Sequence, residues 1–174
     1  MGKKYKHLIE RIGAIENLRD AYERTARGKR ATFGFLEFKE YAQANLSLMS
    51  EVILDGAWVQ GPYREFTIYE PKSRLISALD FKDRLAQHAL VNIIGPIFDK
   101  TLMPQTFACR RGMGTHAGVR FIQASLRRTQ AKYYLKTDYA KFFYSIDRPI
   151  LHTMIECKVS CPLTLKLIRT MVPN

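Results

Sequence analysis

Hydrophobic residues at helical spacing predict two long helices in the first third of the chain. Over residues 6–27 they recur every three or four positions, at Leu8, Ile12, Ile15, Leu18 and Tyr22. Gly28 is expected to end this helix, with basic residues in its last turn. A second stripe over residues 35–55 consists of Leu36, Tyr41, Leu46, Met49 and Ile53. The sequence therefore predicts a helical N-terminal region.

The pattern then changes from a helical period to strands. Residues 66–69 and 74–79 are rich in β-branched and aromatic side chains and flank a Pro-containing turn at 70–73, which predicts a β-hairpin. A helix over residues 81–94 follows, and Gly95-Pro96 is expected to break or kink it.

The second half of the chain begins with a predicted helix over residues 115–129. We expect Thr115 to be its N-cap and Val119, Ile122 and Leu126 to face inward. Residues 132–138 predict a short strand that ends at an acid, and two helices, over 148–158 and 162–171, follow it. This order of helices and strands, without repeats or low-complexity segments, predicts an α+β fold.

The charge of the chain indicates the kind of partner. The formal net charge is +12 and the pI is near 9.8. Residues 100–137 contain eight basic side chains and no acidic one, and residues 1–30 contain nine basic and four acidic. This concentration predicts a polyanion-binding surface, with nucleic acid as the first candidate, an anionic membrane surface as the second and a solvated face as the alternative.

Composition and hydropathy exclude several classes of protein. A run of about 18 apolar residues is absent, so no membrane-spanning segment is predicted. The basic N-terminus lacks the apolar stretch of a secretion signal. Three cysteines are too few for a disulfide framework, and Cys157, Cys161 and His152 are too loosely spaced to favour zinc. We therefore expect a cytoplasmic protein without a membrane partner.

The segment after the predicted strand carries the most distinctive chemistry. Asp138 would lie at the C-terminal end of the strand, where a carboxylate suits Mg²⁺, with Mn²⁺ as the alternative cation. Phe143, five residues later, could lie flat under a sugar ring. In the alternative interpretation Asp138 is a cap or turn acid and the neighbouring aromatic residues are core.

Residues 138–147 read Asp-x-x-x-Phe-Phe-x-Ser-Ile-Asp, which resembles the first palm motif of reverse transcriptases from group II introns, retrons and diversity-generating retroelements. Two upstream segments agree. Residues 71–90, with Asp-Arg-x-x-Gln at 83–87, are similar to the fingers motif of that branch, and residues 107–117 are similar to its Phe-x-x-Arg-Pro…Thr-His-x-Ala block. Residues 61–66 are closest to the diversity-generating retroelement enzymes. The resemblance covers essentially the whole chain.

The resemblance implies a right-hand polymerase with helical and β-hairpin fingers. An N-terminal extension and the fingers would occupy residues 1–112, and the start of the palm residues 113–174. The implied activity is RNA-directed DNA polymerisation, a nucleotidyl transfer by a two-metal mechanism. The implied partners are an RNA template and primer, deoxynucleoside triphosphates and a small basic accessory protein of the retroelement.

The resemblance also implies roles for individual residues. Asp138 would be a catalytic, metal-binding aspartate, and the backbone carbonyl of Tyr139 would be a second ligand of Mg²⁺. Phe143 would be the steric gate that excludes a ribose 2′-hydroxyl group. Lys72 and Arg74 on the fingers hairpin would bind the β- and γ-phosphates, for which a guanidinium fork and a mobile ammonium are suited.

Basic side chains further along the chain would contact template or scaffold RNA. These are Arg110, Arg120, Arg127 and Arg128. By contrast, the residues of the Asp-Arg-x-x-Gln signature lie within four positions on one helix, which suits a buried structural network or a template contact better than catalysis. They are Asp83, Arg84 and Gln87.

The chain departs from the family pattern in three places. Arg111 and Tyr144 stand where Pro is usual, outside the metal site. No Asp-Asp pair occurs in the sequence, whereas the family supplies two further aspartates from a Tyr-x-Asp-Asp hairpin that follows a Ser-Gln motif. Asp147 is expected to cap the next helix. We therefore expect the 174 residues alone to be inactive as a polymerase, and a non-catalytic basic RNA-binding module is the alternative function.

Overall fold

The computed structural model of the chain describes residues 4–173 and is mainly helical with one small antiparallel sheet. This combination of helices and one antiparallel sheet is compatible with the predicted α+β class. The structure also contains a short 3₁₀ helix, Phe142–Ser145. The elements are α1 (Leu8–Gly13), α2 (Ile15–Ala26), α3 (Phe33–Glu40), α4 (Ala42–Leu54), β1 (Arg64–Ile68), β2 (Arg74–Ala78), α5 (Phe81–Asp99), α6 (Thr115–Thr129), α7 (Arg148–Glu156) and α8 (Pro162–Met171).

The chain divides into two compact units. The main unit comprises the residues up to Gly95 and those from Asp147 onward, and the inserted unit comprises Pro96–Ile146. This division follows packing. The predicted division at residues 112 and 113 follows the motifs of a polymerase, and it stays a prediction.

The first predicted helix is interrupted at Ala14, which separates α1 from α2. Its backbone is extended, with φ −58° and ψ 134°. Side chains replace the helical hydrogen bonds that the interruption removes, because Asn17 Nδ2 donates to the Ile12 carbonyl at 2.9 Å and Ser50 Oγ to the Gly13 carbonyl at 2.6 Å. The prediction of one continuous helix was therefore wrong.

Two further helix predictions need correction. The second predicted helix is interrupted at Tyr41, where Asn45 Nδ2 donates to the Phe38 carbonyl at 3.0 Å. The helix predicted to end at residue 94 continues to Asp99, so the Gly95-Pro96 pair does not break it, and a kink there stays a prediction. Proline has no backbone N–H, so Pro96 removes a hydrogen bond from the last turn of the helix, where its loss does not stop the helix.

The core of the main unit forms where the N-terminal helices pack together. Helix α1 contacts α2, α4 and α8, and α2 also contacts α4. The side chains of Leu8, Ile12, Leu18 and Ile53 are at most 1% exposed. Burial of each such side chain contributes roughly 1.5–3 kcal/mol, so this helical packing stabilises the unit.

An aromatic cluster connects α2 and α3 to the start of α5. The ring of Tyr22 stacks on Phe35 and Phe38, with centroids 5.8 Å apart in both pairs. Phe81 meets all three rings at 5.2 to 5.9 Å. Such pairs add about 0.5–1.5 kcal/mol each beyond their buried area, which fixes the first turn of α5 beside the N-terminal helices.

The predicted hairpin and the two C-terminal helices are confirmed. Strands β1 and β2 pair antiparallel, with Arg64 opposite Ala78 and Ile68 opposite Arg74. Asp147 caps α7 as predicted, because its Oδ1 accepts a hydrogen bond from the Ile150 backbone N–H at 2.9 Å. The turn residues of the hairpin and the cap of α7 lie next to these elements in sequence, which is why the sequence could predict them.

The inserted unit differs most from the prediction. Residues 132–138 are not assigned to a strand, because no second segment among residues 4–173 pairs with them. Helix α6 has the predicted span, but Gly114 is its N-cap position and no side chain caps it. Val119, Ile122 and Leu126 are 46%, 57% and 46% exposed, so the apolar face that we expected to be buried is open.

Candidate nucleic-acid and metal site

The hairpin of the main unit carries the two residues predicted to bind phosphate. Arg74 is the first residue of β2, and Lys72 lies in the turn that precedes it. Both side chains are exposed, and no ion pair among residues 4–173 includes either of them. Across the strands, Ser77 Oγ donates to Glu65 Oε1 at 3.0 Å. The hairpin thus presents two unpaired cations at one end.

Two residues of the Asp-Arg-x-x-Gln signature contact the segment before the hairpin. Asp83 is 1% exposed, and its Oδ2 accepts the Gly61 backbone N–H at 3.2 Å. Gln87 Nε2 donates to Gln60 Oε1 at 2.9 Å. Arg84 Nε has no hydrogen-bond partner among the described residues. A network of all three residues and a contact with template both stay predictions.

Burial raises the pKa of the Asp83 carboxyl above its ordinary value, although the Gly61 N–H opposes the shift. The other carboxyl oxygen, Oδ1, is buried without a hydrogen-bond partner among the described residues. A Cβ at Gly61 would lie 2.9 Å from Asp83 Oδ2, so glycine is required for this close approach. The carboxyl group anchors the segment that leads into β1.

In the inserted unit, Arg110 is held by an ion pair within the protein. Its Nε and Nη2 donate to the two carboxyl oxygens of Asp99 at 2.7 and 3.4 Å. Its Nη1 donates to the carbonyls of Met103 and Thr106 at 3.1 and 3.3 Å. This guanidinium therefore organises the loop after α5, and its predicted contact with nucleic acid stays a prediction.

Sequence reasoning missed Asp99, the partner of Arg110. The hydrogen bond from Arg110 lowers the pKa of the Asp99 carboxyl below its ordinary value. The available signal was its position as the last acid before the block of residues 100–137 that contains none. A bidentate Arg–carboxylate pair is a common way to fix a loop, so an acid beside a basic block is a candidate partner.

The remaining predicted nucleic-acid contacts lie along α6. Arg120 and Arg127 are seven positions apart, which places them on one face of the helix, and Arg128 is next to that face. All three side chains are exposed, and no ion pair among residues 4–173 includes them. Near its N-terminus, Gly118 packs on Phe107, where a Cβ would lie 3.3 Å from the ring.

Asp138 lies in a segment, residues 130–139, that is assigned to neither helix nor strand and is exposed throughout. Tyr139 and Phe142 have ring centroids 6.3 Å apart, and Phe142 and Phe143 5.5 Å apart. Phe143 is 84% exposed, so it is not core. No group of three or more His, Cys, Asp or Glu side chains among residues 4–173 could hold a metal ion.

The predicted site residues fall into two groups. Lys72 and Arg74 belong to the main unit, whereas Asp138, Tyr139 and Phe143 belong to the inserted unit. Each group is exposed and chemically suited to a phosphate or a nucleotide. The Asp138 carboxylate can supply one ligand position for a divalent cation, and a two-metal site needs further carboxylates.

Comparison with known proteins adds no family. Neither the scan against family models nor the search of curated proteins found a match. Within the described residues, no helix combines the length and apolar character that crossing a membrane requires.

Proposed function

We propose that the chain is the fingers and the first part of the palm of a reverse transcriptase of the diversity-generating retroelement type. In this proposal the fingers occupy residues 1–112 and the start of the palm residues 113–174. The complete enzyme extends a primer on an RNA template with deoxynucleoside triphosphates, in the cytoplasm and with a small basic accessory protein. The proposal rests on three ordered motifs and on the exposure of Lys72, Arg74, Asp138, Tyr139 and Phe143.

The observation that carries the proposal is the exposed aromatic segment before and after Asp138. Tyr133, Tyr134 and Leu135 are 91%, 89% and 88% exposed and pair with no strand among residues 4–173. Contiguous apolar side chains of this size are normally covered, and a single strand is not stable in water. If this segment is the first strand of a palm and its neighbouring strands lie outside the 174 residues, both the exposure and the missing strand pairing are explained.

In this proposal the residues of each unit have the roles that the resemblance implies. Lys72 and Arg74 bind the β- and γ-phosphates, and Phe143 lies under the sugar. Asp138 and the backbone carbonyl of Tyr139 would hold Mg²⁺, which when bound would supply charge stabilisation for nucleotidyl transfer. The exposed carboxylate of Asp138 can fill one ligand position of a two-metal site. In this proposal the remaining aspartates come from a polypeptide segment outside the 174 residues.

Primer extension tests the proposal. The complete encoded polypeptide should extend a DNA primer on an RNA template with Mg²⁺ and all four deoxynucleotides. The 174 residues alone should not, because a single carboxylate cannot hold two cations. Robust extension by the isolated 174 residues would overturn our account of the metal site. Failure of the complete polypeptide to extend a primer that it binds would overturn the proposal.

The second candidate function is a non-catalytic RNA-binding module. It is favoured by the exposed arginines of α6 and by the absence of a metal-binding group among residues 4–173. Aromatic side chains that alternate with cations bind single-stranded RNA without a metal ion. This candidate predicts salt-dependent RNA binding and no extension activity in the complete polypeptide.

A further inference from the structure

A groove in the main unit contains none of the residues predicted to bind metal, nucleotide or nucleic acid. It has a volume of about 1040 Å³ and runs between α3, α4 and the base of the hairpin. Its lining includes Phe33 and Val59, which are 81% and 77% exposed, and Leu48, which is 59% exposed. Apolar side chains so open to solvent indicate a surface that another molecule can cover.

Two buried hydrogen-bond donors line the same groove without acceptors. They are Trp58 Nε1 and Arg84 Nε, and neither has a hydrogen-bond partner among the described residues. Trp58 is 8% exposed, so its indole N–H has little access to water. A buried polar group without a partner is costly, and native proteins rarely retain one without a reason. Because both atoms are closed to solvent, an occupant of the groove could reach them only if these side chains moved.

The rim of the groove has an excess of positive charge. Lys29, Arg64 and Lys82 line it together with Arg84, against the two acids Glu37 and Asp80. No ion pair among residues 4–173 includes Lys29, Arg64 or Lys82. The rim is therefore complementary to an occupant that carries negative charge.

We propose that this groove binds an acidic amphipathic helix of a partner protein. Its apolar face would cover Phe33, Leu48 and Val59, and its carboxylates would pair with the cations of the rim, Lys29, Arg64 and Lys82. A helix satisfies its own backbone hydrogen bonds, which suits a groove with an apolar lining. A second copy of this chain is a poor occupant because the net charge is +12.

The lining favours a peptide over RNA. Aliphatic side chains such as Leu48 and Val52 cover the apolar face of a helix, whereas they offer no hydrogen bonds to bases or ribose. This inference is independent of the proposed polymerase function, and failure of either leaves the other unchanged.

The single tryptophan of the chain is a built-in reporter, because Trp58 lines the groove. We would titrate the chain with a synthetic amphipathic peptide of about 12 residues, with Leu and Phe at i, i+3, i+4 and i+7 and Asp or Glu between them. We expect a saturable change in Trp58 emission. The matched peptide has Asn and Gln in place of Asp and Glu and should bind about tenfold more weakly.

Variants at exposed positions test the two faces of the groove. Val59→Ser should weaken binding about fivefold, since it removes apolar contact area. Val91→Ser, at a 56% exposed position outside the groove, is its control and should have no effect. Lys29→Glu with Arg64→Glu should weaken binding at least about tenfold, since it reverses the charge of the rim.

The control for the charge reversal is Arg11→Glu with Lys166→Glu, which changes the net charge equally at exposed sites outside the groove. Circular dichroism would show that every variant is folded. Equal loss of affinity in the rim and control variants would overturn the proposal, as would equal binding of the acidic and the amide peptide. It would also be overturned if neither peptide saturated the signal, or if a single-stranded RNA changed Trp58 emission and displaced the peptide.

Discussion

At the scale of single residues, Asp83 shows how one buried group fixes a local structure. Among residues 4–173, Asp83 is the only acidic residue whose side chain is buried. Its Oδ2 holds the Gly61 N–H, while Oδ1 has no partner. Asp83 therefore has two opposite effects on the stability of the fold. Its hydrogen bond to Gly61 orders the segment before β1, whereas its burial destabilises the charged form of the carboxyl group.

We expect Asp83→Asn to stabilise the protein at neutral pH. Because burial raises the pKa of Asp83 above its unfolded value, the folded state binds the proton more tightly. Stability is therefore greatest below the unfolded pKa and is lost as the pH rises through the raised folded pKa. Asn keeps an oxygen for the Gly61 N–H without a charge, so Tm at pH 7 should rise by about 2–4 °C.

Thermal unfolding at pH 4 and pH 7 checks this prediction. The gain from Asp83→Asn should shrink at pH 4, where the wild-type carboxyl is closer to protonated. Asp55→Asn, at an exposed position after α4, is the control and should change Tm little at either pH. A lower Tm for Asp83→Asn at pH 7 would show that the ionised carboxylate stabilises the fold.

At the scale of secondary structure, local signals predicted the elements whose boundaries are local. The hairpin follows from β-rich runs around a Pro-containing turn, and Asp147 caps α7 in the position its side chain suits. The interruptions at Ala14 and Tyr41 could not be predicted, because neither residue breaks a helix by itself. The donors that permit the first interruption include Ser50, which is 37 positions from Gly13 in sequence.

The segment 132–138 illustrates a different limit. Its composition favours a strand, yet a strand exists only where a neighbour supplies the other half of its hydrogen bonds. Among residues 4–173 none does, so Tyr133 and Tyr134 stay exposed. Likewise, periodicity showed that α6 is amphipathic but could not show that its apolar face, with Val119 and Ile122, lacks a cover.

The hairpin should determine affinity for the nucleotide. In the complete encoded polypeptide, Lys72→Ala with Arg74→Ala should raise the KM for deoxynucleotides roughly tenfold or more, because two charged hydrogen-bond donors to phosphate are lost. RNA affinity should change much less. Arg11→Ala, at an exposed site on α1, should leave KM unchanged. Steady-state extension kinetics measure this, and an unchanged KM in the double variant would remove the hairpin from the nucleotide site.

Helix α6 should determine affinity for RNA. Replacing Arg120, Arg127 and Arg128 by Gln should weaken binding of single-stranded RNA and reduce the slope of log K against log salt by about 2, since three phosphate contacts are lost. Fluorescence anisotropy across a salt series measures the slope. The control replaces three exposed cations of the main unit, Arg11, Lys39 and Lys166. An equal effect in the control would indicate non-specific attraction to the net charge.

At the scale of the whole molecule, the charge of +12 is organised by the fold. The block of eight basic residues at 100–137 lies within the inserted unit, where Arg110 is held by Asp99 and the arginines of α6 are free of ion pairs with other described residues. The sequence predicts that this block faces a polyanion, which stays a prediction. It could not predict which of its cations serve the protein's own loops, because that depends on contacts made in three dimensions.

The motifs and the structure contribute different parts of the account. The motifs connect Asp138, Phe143 and the hairpin to one chemistry. The structure describes the two groups in separate units and adds a groove that no motif indicated. The groove is formed by α3, α4 and the hairpin together, so its residues, from Phe33 to Arg84, are scattered in sequence and share no local pattern.

The proposed role of Asp138 as a metal ligand of a reverse transcriptase is tested by comparing Asp138→Asn with Asp147→Asn in the complete encoded polypeptide. Asp147 is an exposed acid nine positions later that caps α7, and Asn is an equally good cap. Primer extension on an RNA template with Mg²⁺ should be abolished by Asp138→Asn and retained by Asp147→Asn, with RNA binding unchanged in both. Normal extension by Asp138→Asn would remove Asp138 from the metal site and contradict the reverse transcriptase account.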